Sequence, residues 1–153
     1  MEEIIRYFEM IAHPEGGYYS ETYRSSMNVP GINRQLMTAI YFLLPSGQVS
    51  KFHTIKSDEL WFHHSGGPIV VHTLDENGHT EHHLGMDLNA GEQPQILIKA
   101  GVVFGSTVKV ESTYALVSCV VAPGFDFRDF ELCDPSSLLN LFPNHKEIIN
   151  RLT

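Results

Sequence analysis

Cysteine is nearly absent. Only Cys119 and Cys133 occur, with no metal-ligand spacing between them. That excludes a disulfide framework and a cysteine-built zinc site, and two isolated cysteines read as free thiols in a reducing cytoplasm. Basic residues are also scarce, with 10 Lys and Arg against 18 Asp and Glu and a formal net charge of −8. Nucleic-acid binding needs a basic patch, so that partner class is not expected. No apolar run approaches the ~18 residues of a membrane span. The N-terminus MEEIIRYFEM is acidic and amphipathic rather than signal-like, so no membrane partner is expected either. There is no G-x-S-x-G nucleophile elbow, no G-x-G-x-x-G fingerprint and no P-loop. Low-complexity tracts, internal repeats and domain linkers are missing too.

What is present is a globular composition, 42% hydrophobic and 18% charged in 153 residues, which suits a single domain over 1–153. Ile4, Ile5, Phe8 and Ile11 fall at helical spacing and predict a short amphipathic helix over residues 3–11. His13-Pro14-Glu15-Gly16-Gly17 ends it in a tight turn. Residues 18–25 then alternate as a strand, with Tyr19, Glu21 and Tyr23 on one face. Residues 36–45 are apolar on both faces, which predicts a buried central strand and a homodimer to cover the excess apolar surface. Strands follow over 49–55 and 58–65. Residues 68–85 read as a hairpin around an Asn77-Gly78 type I′ turn. Residues 95–108 read as two strands kinked at Gly101, and 114–125 as a long buried strand. Residues 125–132, alternating aromatics with acids, read as an edge strand leaving the barrel. The tail is helical, with Asp134-Pro135 at one start and an Asn144–Glu147 capping box at another. Many short strands with helices only at the ends predict an all-β sandwich or barrel, with Phe42, Trp61, Val70, Leu97, Leu116 and Val120 in its core.

Chemistry concentrates in residues 47–67, which hold three of the nine histidines and the only tryptophan. As a strand, 58–64 places Glu59, Trp61 and His63 on one face. With His53 from the preceding strand, this face combines acid, indole and imidazole as a pocket lining does. His79, Glu81 and His83 also share a face, and three such side chains are able to hold a metal. Following the Asn77-Gly78 turn, however, they read as an exposed hairpin tip.

Gly47, His53, Ile55, Glu59 and Gly66 resemble the first cupin motif, G-x5-H-x-H-x3-4-E-x6-G, with Ile55 where the second metal-binding histidine belongs. Of the second motif, P-x-G-x2-H, only Gly101 agrees, and Phe104 stands in place of its histidine. The blocks HPEGGYYSETYRS, SDELWFHHSG and ALVSCVVAPGFDFRDFEL look like the signatures of cupin family five, a domain of unknown function. The resemblance implies a double-stranded β-helix (jelly roll, cupin), short terminal helices outside it, and usually a homodimer. It supplies no settled activity, because jelly rolls similar to this family range from dTDP-sugar epimerases to seed storage proteins.

With two of the four cupin ligand positions apolar, no metal or other cofactor is expected in the barrel. The same pair supports proton chemistry on a small-molecule ligand, sugar-like or nucleotide-linked, in the manner of the metal-free epimerases this fold resembles. In that reading His53 is the base and Glu59 orients it, with Tyr41 or Tyr19 as the acid. Glu15, Tyr19, Arg24, Trp61 and His63 are the ligand-binding candidates. Arg24 is suited to clamp a phosphate or carboxylate, and Trp61 to stack on a ring. Two alternatives stay open: a binding or sensing module without turnover, and a metal-dependent cupin enzyme.

Overall fold

The computed structural model describes residues 1–109 and 113–153. Its first element is a helix, α1 (Glu2–Tyr7), shorter than the spacing predicts. Glu9 takes a positive φ of 50°, which breaks the helical path, and Ile11 joins a two-residue edge strand instead, β1 (Ile11–Ala12).

The strands that follow are β2 (Tyr18–Arg24), β3 (Thr38–Pro45), β4 (Val49–Thr54), β5 (Asp58–Gly66), β6 (Ile69–Asp75), β7 (Gly78–Leu84), β8 (Gln95–Ile98), β9 (Val103–Val108), β10 (Tyr114–Ala122) and β11 (Glu131–Leu132). The short helices α2 (Pro135–Leu141) and α3 (Lys146–Arg151) close the chain. The strands form two antiparallel sheets, a six-stranded β1-β2-β3-β10-β5-β8 and a five-stranded β11-β4-β9-β6-β7. Consecutive strands switch sheets repeatedly, and the result is the jelly roll. Among the described residues no helix is long and apolar enough to cross a membrane.

Alternation builds the core. Phe42, Trp61, Val71, Phe104 and Val117 point between the sheets. The outer face of the first sheet is sealed by the N-terminal segment, where Met10 packs with Leu43 and Leu116. The outer face of the second is sealed by α2 and α3, where Leu138, Ile149 and Leu152 cover Phe52 and Leu74. Both faces of β3 are therefore covered within one chain, so its apolar character does not by itself require a second copy. Of the six predicted core residues, Phe42, Trp61, Val70 and Leu116 are buried, and Val120 is half-buried. Leu97 is 43% exposed because β8 lies at a sheet edge and turns that residue outward.

Local chemistry explains three further departures. Gly101, at φ 78°, lies in a turn rather than a kink and sends β8 and β9 into different sheets. Asp75 pairs with Gly78, so Glu76 and Asn77 are the central residues of the hairpin turn, and only Gly78 takes a positive φ; the turn is not type I′. Asp134 Oδ2 accepts from the Ser137 backbone N–H with Pro135 at the helix start, as expected, but α3 begins at Lys146 behind a 3-10 turn and has no side-chain cap.

Candidate functional site

A cavity of about 380 Å³ lies between the sheets at one end of the barrel. Its floor comes from alternate residues of the central strands: Glu59 and Trp61 on β5, Phe42 on β3 and Cys119 on β10. Its mouth is aromatic. Residues 127–129 form a 3-10 turn rather than the expected edge strand, and Phe125, Phe127 and Phe130 line the opening. Only Glu131 and Leu132 extend as a strand, beside β4. Arg34 clamps this segment through Asp129, with its Nε and Nη2 donating at 2.5 and 2.7 Å.

Glu15 is placed by the HPEGG turn. Gly16 and Gly17 have φ of 117° and 70°, and a Cβ on Gly16 would stand 2.1 Å from the Val49 carbonyl oxygen. Only glycine lets the turn press against β4 this closely. The Lys51 backbone N–H donates to the Glu15 carbonyl at 2.8 Å, and the Glu15 side chain enters the barrel 6% exposed.

There Glu15 becomes the centre of a polar cluster. Its Oε1 accepts from Ser50 Oγ at 2.8 Å, and its Oε2 lies 3.1 Å from His53 Nε2 and 3.3 Å from His13 Nδ1. His53 Nδ1 is 2.6 Å from the Lys51 carbonyl oxygen, an acceptor, so that nitrogen carries and donates the ring proton. Nε2 of neutral His53 then offers a lone pair to Glu15. The contact is attractive only with a proton between them, on Glu15 in the neutral pair or on His53 in the ionic one. Burial disfavours charge and selects the neutral pair. Accordingly, burial pushes the Glu15 carboxyl up to about 7, against the opposing pull of His13 and Ser50. Burial pushes His53 down to about 4 despite its bond to the Lys51 carbonyl. Burial, reinforced by the Glu15 charge, pushes Glu59 up to about 8. Glu59 lies against the Cys119 thiol and near the Trp61 indole, whose buried Nε1 makes no hydrogen bond of normal geometry.

His53, Glu59, Glu15, Tyr19, Arg24 and Trp61 all line this one cavity. Tyr41 and His63 do not. Phe42 points inward, so the alternation of β3 turns Tyr41 outward, where its ring packs 4.6 Å from Phe8 and 5.7 Å from His64. His63 lies two residues farther along β5, opposite Val117, with Nε2 3.2 Å from the Gly67 carbonyl oxygen. The orienting partner of His53 is Glu15 rather than Glu59. Arg24 sits at the mouth with its donors largely committed. Nε and Nη2 donate to Glu21 at 2.9 and 2.6 Å, and Nη1 to Gln35 and the Phe125 carbonyl. Sequence reasoning missed His13, Cys119 and the three mouth phenylalanines as lining residues; the HPEGG block was the available signal for His13.

The donor set does not suit a resident metal at the usual cupin centre. Ile55 and Phe104 are buried hydrocarbon, the Phe104 ring lies 4.1 Å from that of His53, and both His53 nitrogens are engaged. No reaction step is derived through a metal at that centre.

Comparison with known proteins fits this picture. The family described as Cupin superfamily (DUF985) matches residues 2–133. The chain is 30% identical over 146 residues to the uncharacterized protein YML079W of Saccharomyces cerevisiae, covering 84% of this chain and 73% of that one. It superposes on protein SO0799 of Shewanella oneidensis with a TM-score of 0.94 at 40% identity, over 99% of this chain and 96% of that one. A hypothetical protein from Leishmania major gives 0.91 at 36%, over 99% and 97%. Bacillus subtilis oxalate decarboxylase gives 0.60 at 19% identity, over 93% of this chain and 37% of that one, a likeness of fold alone.

Proposed function

The chain belongs to the Cupin superfamily (DUF985), and from that premise and the chemistry of the cavity we propose a metal-free isomerase or epimerase that moves a proton on a small, uncharged, sugar-like molecule. The observation that carries this reading is the Glu15 Oε2–His53 Nε2 contact of 3.1 Å inside a cavity that also holds Glu59. A carboxyl raised to about 7 is poised to take and return a proton at neutral pH. A carboxyl raised to about 8 is mostly protonated there, and donates a hydrogen bond to a carbonyl as that carbonyl becomes an enolate. In its ionised form, accessible near pH 7, Glu15 takes the proton next to the carbonyl and, now a carboxyl, donates it in a hydrogen bond to His53 Nε2; Glu59 donates a hydrogen bond to the developing oxyanion; Glu15 then returns the proton, or a deuteron exchanged from solvent, to the carbon. Tyr19 remains the tyrosine with access to the ligand.

The ligand class follows from charge. Glu21 and Asp126 line the cavity as carboxylates, beside the mostly protonated Glu59, while Arg24, a cation of the lining, is already paired with Glu21. A phosphate would meet more repulsion than attraction, so the sugar-like class is favoured over the nucleotide-linked one. Phe125, Phe127 and Trp61 supply apolar faces for a ring. Incubation with candidate keto and aldehydo sugars in deuterated water tests the reading. Deuterium is expected at the carbon next to the carbonyl, and its absence across a panel whose members bind would overturn the proposal.

One observation favours a second reading, binding without turnover. His53 is 3% exposed with both nitrogens engaged, which suits a structural post as well as a catalytic group. A homodimer remains part of the proposal, resting now on edge-strand apolar side chains such as Ile11 and Tyr23, 60% and 49% exposed. The free thiols Cys119 and Cys133 fit a reducing compartment such as the cytoplasm.

A further inference from the structure

The outer face of the second sheet carries a second constellation, away from the cavity. His72 on β6 is 2% exposed and faces out of the barrel, as does its neighbour Leu74 beneath the C-terminal helices. Across the hairpin, β6 pairs with β7 in a register that sets His72 opposite Glu81 and Leu74 opposite His79. The result is a convergence of three donor atoms. His72 Nδ1 lies 3.0 Å from His79 Nε2 and 3.7 Å from Glu81 Oε1, and one ligand atom from each residue falls within 4.8 Å of the others.

We propose that His72, His79 and Glu81 form a divalent transition-metal site of the zinc class on the outer face of the β6–β7 hairpin. Metal–ligand bonds of about 2.0–2.1 Å arranged tetrahedrally put donor atoms about 3.4 Å apart. The separations of 3.0 and 3.7 Å bracket that value and the third pair lies within 4.8 Å, so rotamer adjustments bring the three donors around one ion. Two imidazoles and one carboxylate are a borderline donor set that suits Zn²⁺ and its neighbours rather than Ca²⁺ or Mg²⁺.

The surroundings support the assignment. His72 Nε2 lies 3.1 Å from Thr107 Oγ1 on β9. When that nitrogen donates to the hydroxyl, the tautomer is set and the Nδ1 lone pair faces the other ligands, which is how outer partners orient metal-binding histidines. Without an ion, the close His72–His79 contact holds one N–H between two nitrogens; in neutral His79 that proton moves to Nδ1 when Nε2 turns its lone pair to a metal. His83 Nε2 lies 3.7 Å from the other oxygen of Glu81, and the His145 ring stands 6.0 Å from that of His79. Glu81 is exposed, so solvent completes the coordination from the open side. The sequence places His79, Glu81 and His83 on one face, but it does not reveal that the third ligand is His72 from the neighbouring strand.

The test uses the full chain without a histidine tag, stripped by chelator and titrated with Zn²⁺ and with Co²⁺ as a spectroscopic probe. Saturable binding of one equivalent is expected, with a Kd in the micromolar range or tighter. His79→Ala and Glu81→Gln, at partly or fully exposed positions and checked for folding by thermal melting, should each weaken Zn²⁺ on the order of 100-fold or more. Glu15→Gln, inside the barrel, should leave the affinity unchanged. Absence of saturable binding would overturn the proposal. So would binding that survives both hairpin variants or is lost in Glu15→Gln.

Discussion

Glu15 and His53 come from segments 38 positions apart and meet with Oε2 and Nε2 separated by 3.1 Å, each almost sealed from solvent. The glycines after Glu15 make the approach possible, and the Lys51 carbonyl fixes which nitrogen of His53 faces the carboxyl. One proton shared between a carboxyl and an imidazole is the chemical unit of this cavity.

Glu15→Gln removes that proton but keeps the shape. The amide N–H is able to donate to His53 Nε2, and the amide oxygen to accept from Ser50. Folding and ligand-induced changes in Trp61 fluorescence should persist while deuterium exchange into the ligand falls by ~10²–10⁴-fold. Undiminished exchange would remove Glu15 from the chemistry.

Stability should peak at mildly acidic pH. Glu15 and Glu59 have folded pKa values raised to about 7 and about 8 from 4.5, so their contribution is fully present below about 4.5 and is lost as pH rises through 7 to 8. His53 is lowered from 6.5 to about 4, so its contribution is present above 6.5 and is lost as pH falls toward 4. Urea denaturation between pH 4 and 9 should trace a maximum between the two limbs, and Glu15→Gln should flatten the alkaline one. Stability that climbs steadily to pH 8 would contradict the placement of these buried carboxyls.

Gly16→Ala should destabilise the fold by about 2–4 kcal/mol, because the residue has positive φ and its added Cβ meets a carbonyl oxygen. The shift in denaturation midpoint measures it. A change below about 0.5 kcal/mol would mean that the turn relaxes freely and does not hold Glu15 in place.

Ligand selectivity should follow the acidic lining. In a fluorescence titration of Trp61, the sole tryptophan, neutral sugars should give saturable changes. Their phosphates should bind no better, since Arg24 is held by Glu21. A sugar phosphate that binds ten-fold more tightly than its parent sugar would show that Arg24 leaves its partner for the ligand.

Light scattering at micromolar concentration should return about twice 17.2 kDa. A monomer throughout would mean that the exposed side chains of the β1–β2 edge are ordinary surface.

Period-two alternation, turn residues and the cupin-like blocks were enough to read the strands, the barrel class and six of the residues that line the cavity, namely Glu15, Tyr19, Arg24, His53, Glu59 and Trp61. Those signals are local, and each strand announces its own two faces. Three outcomes are not local. The inward face of β3 is decided by what packs on each side, and α1 with Met10 claims the outside, which takes Tyr41 away from the ligand. The carboxylate that partners His53 depends on how the HPEGG turn docks on β4, so Glu15 wins although Glu59 is nearer in sequence. The union of His72 with His79 and Glu81 depends on the register of a hairpin whose turn sits one residue earlier than the Asn77-Gly78 signal suggests. Local spacing determined which residues were available for chemistry. Only the packing of sheets, turns and end helices decided which of them meet, because the distance between two side chains on different strands is set by long-range register and burial rather than by their separation along the chain.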